Sequence, residues 1–292
     1  MRLGKTEKTV TRDGILTLRR RMIGLEQVLA VDHNRCCGCR DCEEICPHEA
    51  VSTSAPVVDG GTVTKHVTVD LDPEKCIFCG QCHVICPTKA VSWQENEKTV
   101  PTVIAAGILP ALDENIEIRV EACRIDCELA CQVQCPVEAI AVKLEGDDGQ
   151  SRIVEVAVNR DSCFYCGKCE PACPYDLISV RKARLGLVYF APEHCPPDCR
   201  ACTEVCPTGA FNLEAGRVRL NENVCIYCRA CSNVCPVDEA LEVKREMIRG
   251  LPLRSQLWLE VQGKLVSPAA RIRFIREKAA FKRERAFRTR ID

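Results

Sequence analysis

The chain has 292 residues, of which 25 are cysteine and only 4% are aromatic. Such a cysteine content is typical of short disulfide-bonded secreted proteins and unusual at this length. The sequence shows neither a signal-peptide pattern nor an apolar run of about 18 residues. We therefore expect a cytoplasmic protein without a membrane span, whose reduced thiols bind metal.

Charge divides the chain into two parts. The net charge is −1, but residues 245–292 contain 13 Lys and Arg against 5 Asp and Glu. This distribution predicts an acidic, cysteine-rich body followed by a basic tail without cysteine.

Six copies of one cysteine-containing unit follow one another along the body. In each unit an apolar-alternating segment precedes the cysteines, and a proline and a second apolar segment follow the last cysteine. "HVTVDLDPEKC" and "TKAV" around the second run are an example. Such alternation is typical of short strands. Each unit is therefore predicted to fold as strand, cysteine loop, one or two helical turns, proline and strand.

The first two units lie in residues 28–95, after an N-terminal extension of residues 1–27. Their cysteines have the regular spacing C-x2-C-x2-C-x3-C-P, and "VVDGGTV" between them predicts an inserted hairpin with a Gly-Gly turn. Cys37 is an additional cysteine inside the first run and occupies the position of Ile77 in the second. That equivalence favours a small apolar filler, with a redox or alternative-ligand role as the other interpretation.

A linker of residues 96–115 leads to the next two units, in residues 116–184. The first of them contains the run Cys123–Pro136, in which each of the first two gaps has one extra residue. Cysteines four residues apart can form a stripe on a helix, but the flanking strand and the terminal proline favour a ligand loop. The next run, Cys163–Pro174, is regular, and a second inserted hairpin is predicted between the two.

The last two units occupy residues 185–244. The run Cys195–Pro207 has one extra residue in its first gap, and the run Cys225–Pro236 is regular. The spacing C-x3-C-x2-C at Cys195 also matches that of radical S-adenosylmethionine enzymes. A fourth cysteine, the regular run that follows and the lack of a segment long enough for a catalytic barrel argue against that class.

The basic tail is residues 245–292. "LPLRSQLWLEV" within it is predicted to be an extended arm along a partner, followed by a helix over about 268–288. Ser267 and Pro268 suit the N-cap and the first helical position of that helix. Docking onto an acidic partner subunit is the favoured role. The alternatives are packing within the chain, nucleic-acid binding, which we consider the weaker interpretation, and contact with an anionic membrane surface.

The cysteine pattern favours iron–sulfur clusters over other uses of thiols. Zinc normally takes two C-x2-C pairs separated by a longer loop, and disulfides would require secretion. The runs resemble those of the bacterial-type ferredoxins with two [4Fe–4S] clusters, over residues 28–244. In that family three cysteines of one run and the fourth cysteine of the partner run hold each cluster. The resemblance implies an α+β fold of three tandem 2[4Fe–4S] ferredoxin-like domains, followed by a basic helical tail.

Carried over position by position, the resemblance implies six [4Fe–4S] clusters, two in each domain. The ligand sets of the first domain are Cys36, Cys39, Cys42 and Cys86, and Cys76, Cys79, Cys82 and Cys46. Those of the second domain are Cys123, Cys127, Cys131 and Cys173, and Cys163, Cys166, Cys169 and Cys135. Those of the third domain are Cys195, Cys199, Cys202 and Cys235, and Cys225, Cys228, Cys231 and Cys206. Each set takes the name of its first cysteine, so that the two sets of the first domain are the Cys36 set and the Cys76 set. We expect the Cys123 set to differ from the others in its loop or its reduction potential.

Tandem domains of this kind are similar to the archaeal polyferredoxins of anaerobic methanogenic enzyme complexes. The two lengthened runs most resemble those of the polyferredoxin subunits of formylmethanofuran dehydrogenases. The resemblance implies an electron-transfer subunit that serves a tungsten- or molybdenum-containing catalytic subunit and has no catalytic residues or small-molecule substrate of its own. The alternatives are a relay of a hydrogenase or heterodisulfide reductase complex, and a free electron carrier or redox-responsive protein that binds nucleic acid.

Overall fold

The structure is a computed structural model that describes residues 5–146, 152–270 and 272. The elements of the N-terminal segment and the first two units are β1 (Lys5–Val10), β2 (Ile15–Met22), β3 (Leu25–Asp32), α1 (Asp41–Ile45), β4 (Val51–Thr53), β5 (Val57–Asp59), β6 (Thr62–Lys65), β7 (Val69–Leu71), α2 (Gln81–Ile85) and β8 (Val91–Glu95). Those of the linker and the next two units are α3 (Thr102–Ala105), β9 (Asn115–Ile118), α4 (Ala130–Val133), β10 (Ile140–Glu145), β11 (Arg152–Val158), α5 (Cys169–Ala172) and β12 (Ile178–Arg181). Those of the last two units and the tail are β13 (Arg184–Phe190), α6 (Ala201–Val205), β14 (Phe211–Glu214), β15 (Arg217–Leu220), α7 (Ala230–Val234), β16 (Leu241–Ile248) and α8 (Gln256–Leu265).

One scheme of strand pairing occurs in each pair of units. The strand before the first cysteine run pairs antiparallel with the strand after the second run, as β3–β8, β9–β12 and β13–β16. The two inner strands pair with each other, as β4–β7, β10–β11 and β14–β15. This double pairing brings the two cysteine loops of one domain together. The mixed helix and strand content of the predicted α+β fold is confirmed.

Residues 5–27, predicted as part of a separate extension, continue the sheet of the first domain. The strands β1 and β2 form an antiparallel hairpin, and β2 pairs with β3 to give the sheet order β1-β2-β3-β8. Alternate side chains of a strand face one side, and Leu16, Leu18, Leu29 and Trp93 are buried on that side. The extra strands therefore enlarge a small core.

Both predicted hairpins are present. The first is β5–β6, whose turn residues Gly60 and Gly61 have φ of 53° and 78°. Two successive positive φ values match the type I′ turn that suits a right-twisted hairpin. The second, β10–β11, is longer, and residues 147–151 of its tip lie outside the described residues.

The segment predicted as an extended arm is largely a helix that packs on the body of the chain, so that prediction was wrong for its second half. The helix α8 buries Trp258, Val261 and Leu265 in a core that also contains Ile45 of α1 and Ile85 of α2. Apolar residues at this spacing occupy one helix face, and the Ser255 hydroxyl caps the helix by accepting from Trp258 N at 3.3 Å.

The predicted second helix of the tail begins as expected. The Ala270 backbone N–H donates to the Ser267 hydroxyl at 3.3 Å, and residues 268–270 and 272 are helical. The remainder of this predicted helix lies outside the described residues. In the described part of the chain, no helix has the length and apolarity needed to cross a membrane.

Candidate metal centres

The regular cysteine runs share one backbone conformation. In each of them the residues two and four positions after the first cysteine have positive φ, namely Gly38 and Arg40, Phe78 and Gly80, Tyr165 and Gly167, and Tyr227 and Arg229. Left-handed residues reverse the local direction of the chain and turn backbone N–H groups toward sulfur. The Tyr165 N–H donates to Cys163 Sγ at 3.4 Å, and the Tyr227 N–H donates to Cys225 Sγ at 3.3 Å.

The fourth cysteine of a run also receives backbone hydrogen bonds. A left-handed residue stands three positions after this cysteine at Glu49, Lys89, Glu138, Asp176 and Gly209. The N–H of the next residue then donates to the cysteine sulfur in Ala50–Cys46 at 3.2 Å, Ala90–Cys86 at 3.3 Å and Ala139–Cys135 at 3.2 Å. Hydrogen bonds of this kind favour a charged thiolate.

Four of the predicted ligand sets each line a small cavity. The Cys123 set lines one and the Cys163 set lines another. The Cys36 set lines a third together with Cys37. The Cys76 set lines a fourth together with Cys42. Each of these cavities therefore brings together three cysteines of one run and the fourth cysteine of the partner run.

The Cys195 set is also gathered, next to a more open cleft. Burial, followed by the neighbouring thiols of Cys195, Cys199 and Cys235, raises the pKa of Cys202 to about 12. Cys195 and Cys199 border a cleft of about 610 Å³ that opens beside the β14–β15 hairpin. Cys235, the fourth cysteine of the regular run of this domain, thus lies close to the cysteines of the Cys195 run.

The Cys225 set lies in the core of the third domain. Burial raises the pKa of Cys231 well above its ordinary value, and the thiols of Cys228, Cys225 and Cys206 raise it further. In contrast, a hydrogen bond from the Cys37 thiol lowers the pKa of Cys228 to about 7. Cys37, predicted as an apolar filler, is packed against this core, which also contains Cys39 of the Cys36 set.

The donor chemistry of these sites fits [4Fe–4S] clusters. Each set offers four cysteine thiols, one for each iron of a cubane. In the residues that the structure describes, no three His, Cys, Asp or Glu side chains converge closely enough to hold a single metal ion. The thiols are instead spread around cavities, an arrangement that suits a cluster of several atoms. The residues that would hold each cluster are those of the predicted sets.

A polar residue that was not predicted from the sequence fixes the loops. The side chain directly after the third cysteine accepts the backbone N–H of the strand that follows the run. The pairs are Glu43 with Thr53 at 3.1 Å, Gln132 with Val142 at 2.7 Å, Glu170 with Val180 at 2.6 Å and Ser232 with Val243 at 3.1 Å. The signal was available, because every unit has a polar residue at this position.

The lengthened Cys123 loop differs from the regular loops in its backbone. A 3₁₀ turn spans Ile125–Cys127, and Glu128 and Leu129 then have φ of 52° and 54°. Val142 and Ile153 of the β10–β11 hairpin line the same cavity as the cysteines. This hairpin is the inner strand pair of the domain, equivalent to β4–β7 and β14–β15, and it packs on the loop with the extra residues.

The lengthened Cys195 loop is contacted by the other inserted hairpin, which belongs to the first domain. The Arg200 N–H donates to Gly61 O at 2.8 Å, and the Val63 N–H donates to Glu204 Oε2 at 2.7 Å. A Cβ at Gly61 would lie 2.6 Å from the Cα of Cys199. Only glycine fits at position 61. We call this contact of the β5–β6 hairpin with the Cys195 loop the hairpin clamp.

Three families match parts of the chain. The 4Fe–4S dicluster domain matches residues 35–90, the LdpA Fe–S cluster-binding domain matches residues 123–184, and the 4Fe–4S binding domain matches residues 218–238. Over 62 residues the chain is 36% identical to an uncharacterized ferredoxin of Methanocaldococcus jannaschii, a match that covers 21% of this chain and 79% of that protein. The chain belongs to the ferredoxin family. This ferredoxin contains several 4Fe–4S domains.

Two further relatives are much longer than their region of similarity. The ferredoxin is 36% identical over 67 residues to methylamine utilization ferredoxin-type proteins of Paracoccus denitrificans and Methylorubrum extorquens. Each match covers 20% of this chain, and it covers 29% and 30% of the two relatives. The chain thus spans less than a third of their length.

A solved structure shares the fold across nearly the whole chain. It is a chain of the formate dehydrogenase–heterodisulfide reductase–formylmethanofuran dehydrogenase complex from Methanospirillum hungatei. The TM-score is 0.75 at 24% sequence identity, and the match covers 90% of this ferredoxin and 92% of that chain. The arrangement of domains, and not only the single domain, is therefore similar in the two chains.

Proposed function

We propose that this ferredoxin is an electron-wiring subunit of a large anaerobic oxidoreductase, with six [4Fe–4S] clusters in three two-cluster domains. The observation that supports the proposal is the gathering of the predicted ligands: four sets each line a cavity of their own, and in the other two the thiols lie close enough to raise the pKa of one member. With one thiolate on each iron, no iron keeps a free position for a substrate. The clusters then exchange single electrons, and the substrate chemistry takes place on another subunit.

Formylmethanofuran dehydrogenase is the complex that we favour. A chain from a complex that includes this enzyme has the same fold over 90% of the ferredoxin. The lengthened runs at Cys123 and Cys195 are the sequence features that resemble its polyferredoxin subunits. The solved complex also contains a heterodisulfide reductase, so a relay to that enzyme is the second candidate.

The basic tail is proposed to dock the ferredoxin on its partner. The tail has 13 basic and 5 acidic residues, a balance suited to an acidic protein surface. Because α8 is packed on the body of the chain, docking is assigned to the residues after Ser267. The body of the chain is acidic, so only the basic tail is expected to attract an acidic surface of the partner.

Anaerobic purification of the full chain from its host, with an N-terminal tag, tests this function. We expect co-purification at fixed stoichiometry with a subunit that contains tungsten or molybdenum. Addition of formylmethanofuran is expected to reduce the clusters, as seen by electron paramagnetic resonance. A fully loaded ferredoxin that elutes alone would contradict the wiring function. Reduction by hydrogen or by a dithiol in place of formylmethanofuran would overturn the choice of complex.

A matched variant tests the role of the tail. Removal of residues 271–292 leaves α8 and the Ser267 cap in place and removes most of the excess basic charge. We expect the truncated chain to keep its iron and to lose the partner at moderate salt. Full retention of the partner would assign docking to another surface.

A further inference from the structure

One cysteine lies outside the six sets, and it stands at a boundary between domains. Cys37 lines the cavity of the Cys36 set, yet its side chain packs against the core of the third domain. Cys39 of the first domain and Cys228 of the third domain both belong to that core, and the Cys37 thiol donates a hydrogen bond to Cys228. One side chain therefore contacts predicted ligands of two clusters in different domains.

The loop that carries this cysteine is held firmly against the third domain. Asn233 Nδ2 donates to Gly38 O at 2.9 Å. Arg245 Nη2 lies 3.0 Å from Asp41 Oδ2, and the two side chains are 0% and 1% exposed. Arg245 also donates to Tyr227 O at 3.0 Å. Separation of the two loops would leave buried charges without partners, which is costly, so this contact between domains is fixed.

We propose that the Cys37 thiol is a positioning residue that joins the cluster of the Cys36 set to the cluster of the Cys225 set. Electrons then pass directly between the first and third domains and need not travel through the second. This inference rests on the proposed electron-transfer function, and it makes the order of transfer different from the order of the domains in the sequence.

The chemistry of the step involves one electron and no change at Cys37. One cluster is oxidised by one electron and the other is reduced by one electron. Cys37 keeps its S–H proton and forms no bond to iron. A thiol is a weak hydrogen-bond donor, and donation to a ligand sulfur stabilises the extra negative charge of a reduced cluster, since hydrogen bonds to the sulfurs help to set the potential. Loss of the donor is therefore expected to make the potential more negative.

The test uses the full-length, iron-loaded chain and three variants. Cys37→Ala removes the donor, Cys37→Ser retains a donor in the form of a hydroxyl, and Ile77→Ala changes the equivalent position of the second run, where the side chain is 45% exposed. Iron and sulfide content, potentiometric titrations followed by electron paramagnetic resonance, and the rate of electron redistribution after rapid partial reduction are measured for each.

For Cys37→Ala we expect unchanged iron content, a more negative potential for the cluster of the Cys225 set and a several-fold slower redistribution of electrons. Cys37→Ser restores this potential in part, and Ile77→Ala leaves it unaffected. If Cys37→Ala loses iron, the comparison of Cys37→Ser with the parent chain decides the test by the same potential and rate. An unchanged potential of this cluster, or an unchanged rate, would overturn the inference. Absence of multiple clusters in the parent chain would instead refute the proposed function.

Discussion

In the Cys123 loop the extra residues form a 3₁₀ turn and lie against β10–β11, a hairpin of the same domain. In the Cys195 loop the extra residue is followed by the hairpin clamp, in which β5–β6 of the first domain contacts the third domain. Regular loops have left-handed residues two and four positions after the first cysteine, whereas those of the longer loops are Glu128 and Leu129 in one and Asp198 in the other. The two longer loops thus differ from each other in which domain supplies the hairpin that they contact.

This comparison predicts which changes act on one cluster and which act on two domains. The Cys123 loop depends on contacts within its own domain, so changes to it are expected to remain local. The Cys195 loop depends on residues more than 130 positions earlier in the sequence, and changes in the first domain are expected to reach it.

Iron removal is expected to have the largest effect. Each domain has too few large apolar side chains to form a stable core without its clusters, and metal binding contributes directly to folding. Treatment with a chelator under reducing conditions should abolish cooperative melting and most far-UV circular dichroism. Both lengthened loops should then lose protection of their amides in hydrogen exchange. Restoration by added iron and sulfide is the control, and a chain that still melts cooperatively without iron would contradict the expectation.

Gly61→Val is expected to remove one cluster. The new Cβ would lie 2.6 Å from the backbone of Cys199, so the hairpin clamp cannot close. Iron content should fall by about four atoms per chain, the content of one [4Fe–4S] cluster, and the loss should come from the third domain. Gly60→Val is the matched control, since this position also has positive φ but has no atom within 4 Å of its Cβ. Equal loss in both variants would show that turn strain, and not the clamp, is responsible.

Gln132→Ala is expected to weaken the Cys123 site without removing it. The change leaves the Val142 N–H without its acceptor at 2.7 Å, at a cost of about 1 kcal/mol. We expect faster loss of this cluster to a chelator, with the Cys195 cluster unaffected. Gln134→Ala, which changes an exposed glutamine two residues after Gln132, is the control. Faster loss of iron from the third domain would break the distinction between the two loops.

Glu204→Gln is expected to have the smallest effect. The backbone N–H of Val63 and then the Arg200 guanidinium hold the pKa of Glu204 below its ordinary value. A carboxylate with a lowered folded pKa contributes fully at neutral pH, and its contribution is lost as the pH falls through that lowered pKa. The ion pair with Arg200 lies at the surface, with the Glu204 side chain 28% exposed, so the contribution is below about 1 kcal/mol. After correction for the intrinsic pH dependence of amide exchange, the protection of the Val63 amide should decrease in acid for the parent chain and show no such decrease in the variant.

The repeated cysteine spacing and its flanks were sufficient to predict the units, their strands and both hairpins. They were not sufficient to predict what the hairpins contact. Gly61 is recognisable as a turn residue, but its contact with Cys199 depends on how the first and third domains pack. Trp258 and Leu265 have helical spacing, yet the surface that buries them is formed by α1 and α2, far away in the sequence. Local patterns predict elements, whereas these contacts are determined by tertiary packing.

The central claim is that the chain holds six clusters, including one at each of the two lengthened loops. Iron and acid-labile sulfide per chain, measured on anaerobically prepared full-length protein, test this directly. We predict about 24 of each, from six clusters of four irons. A value near 20 would mean that one of the two lengthened loops carries no [4Fe–4S] cluster and would contradict the account.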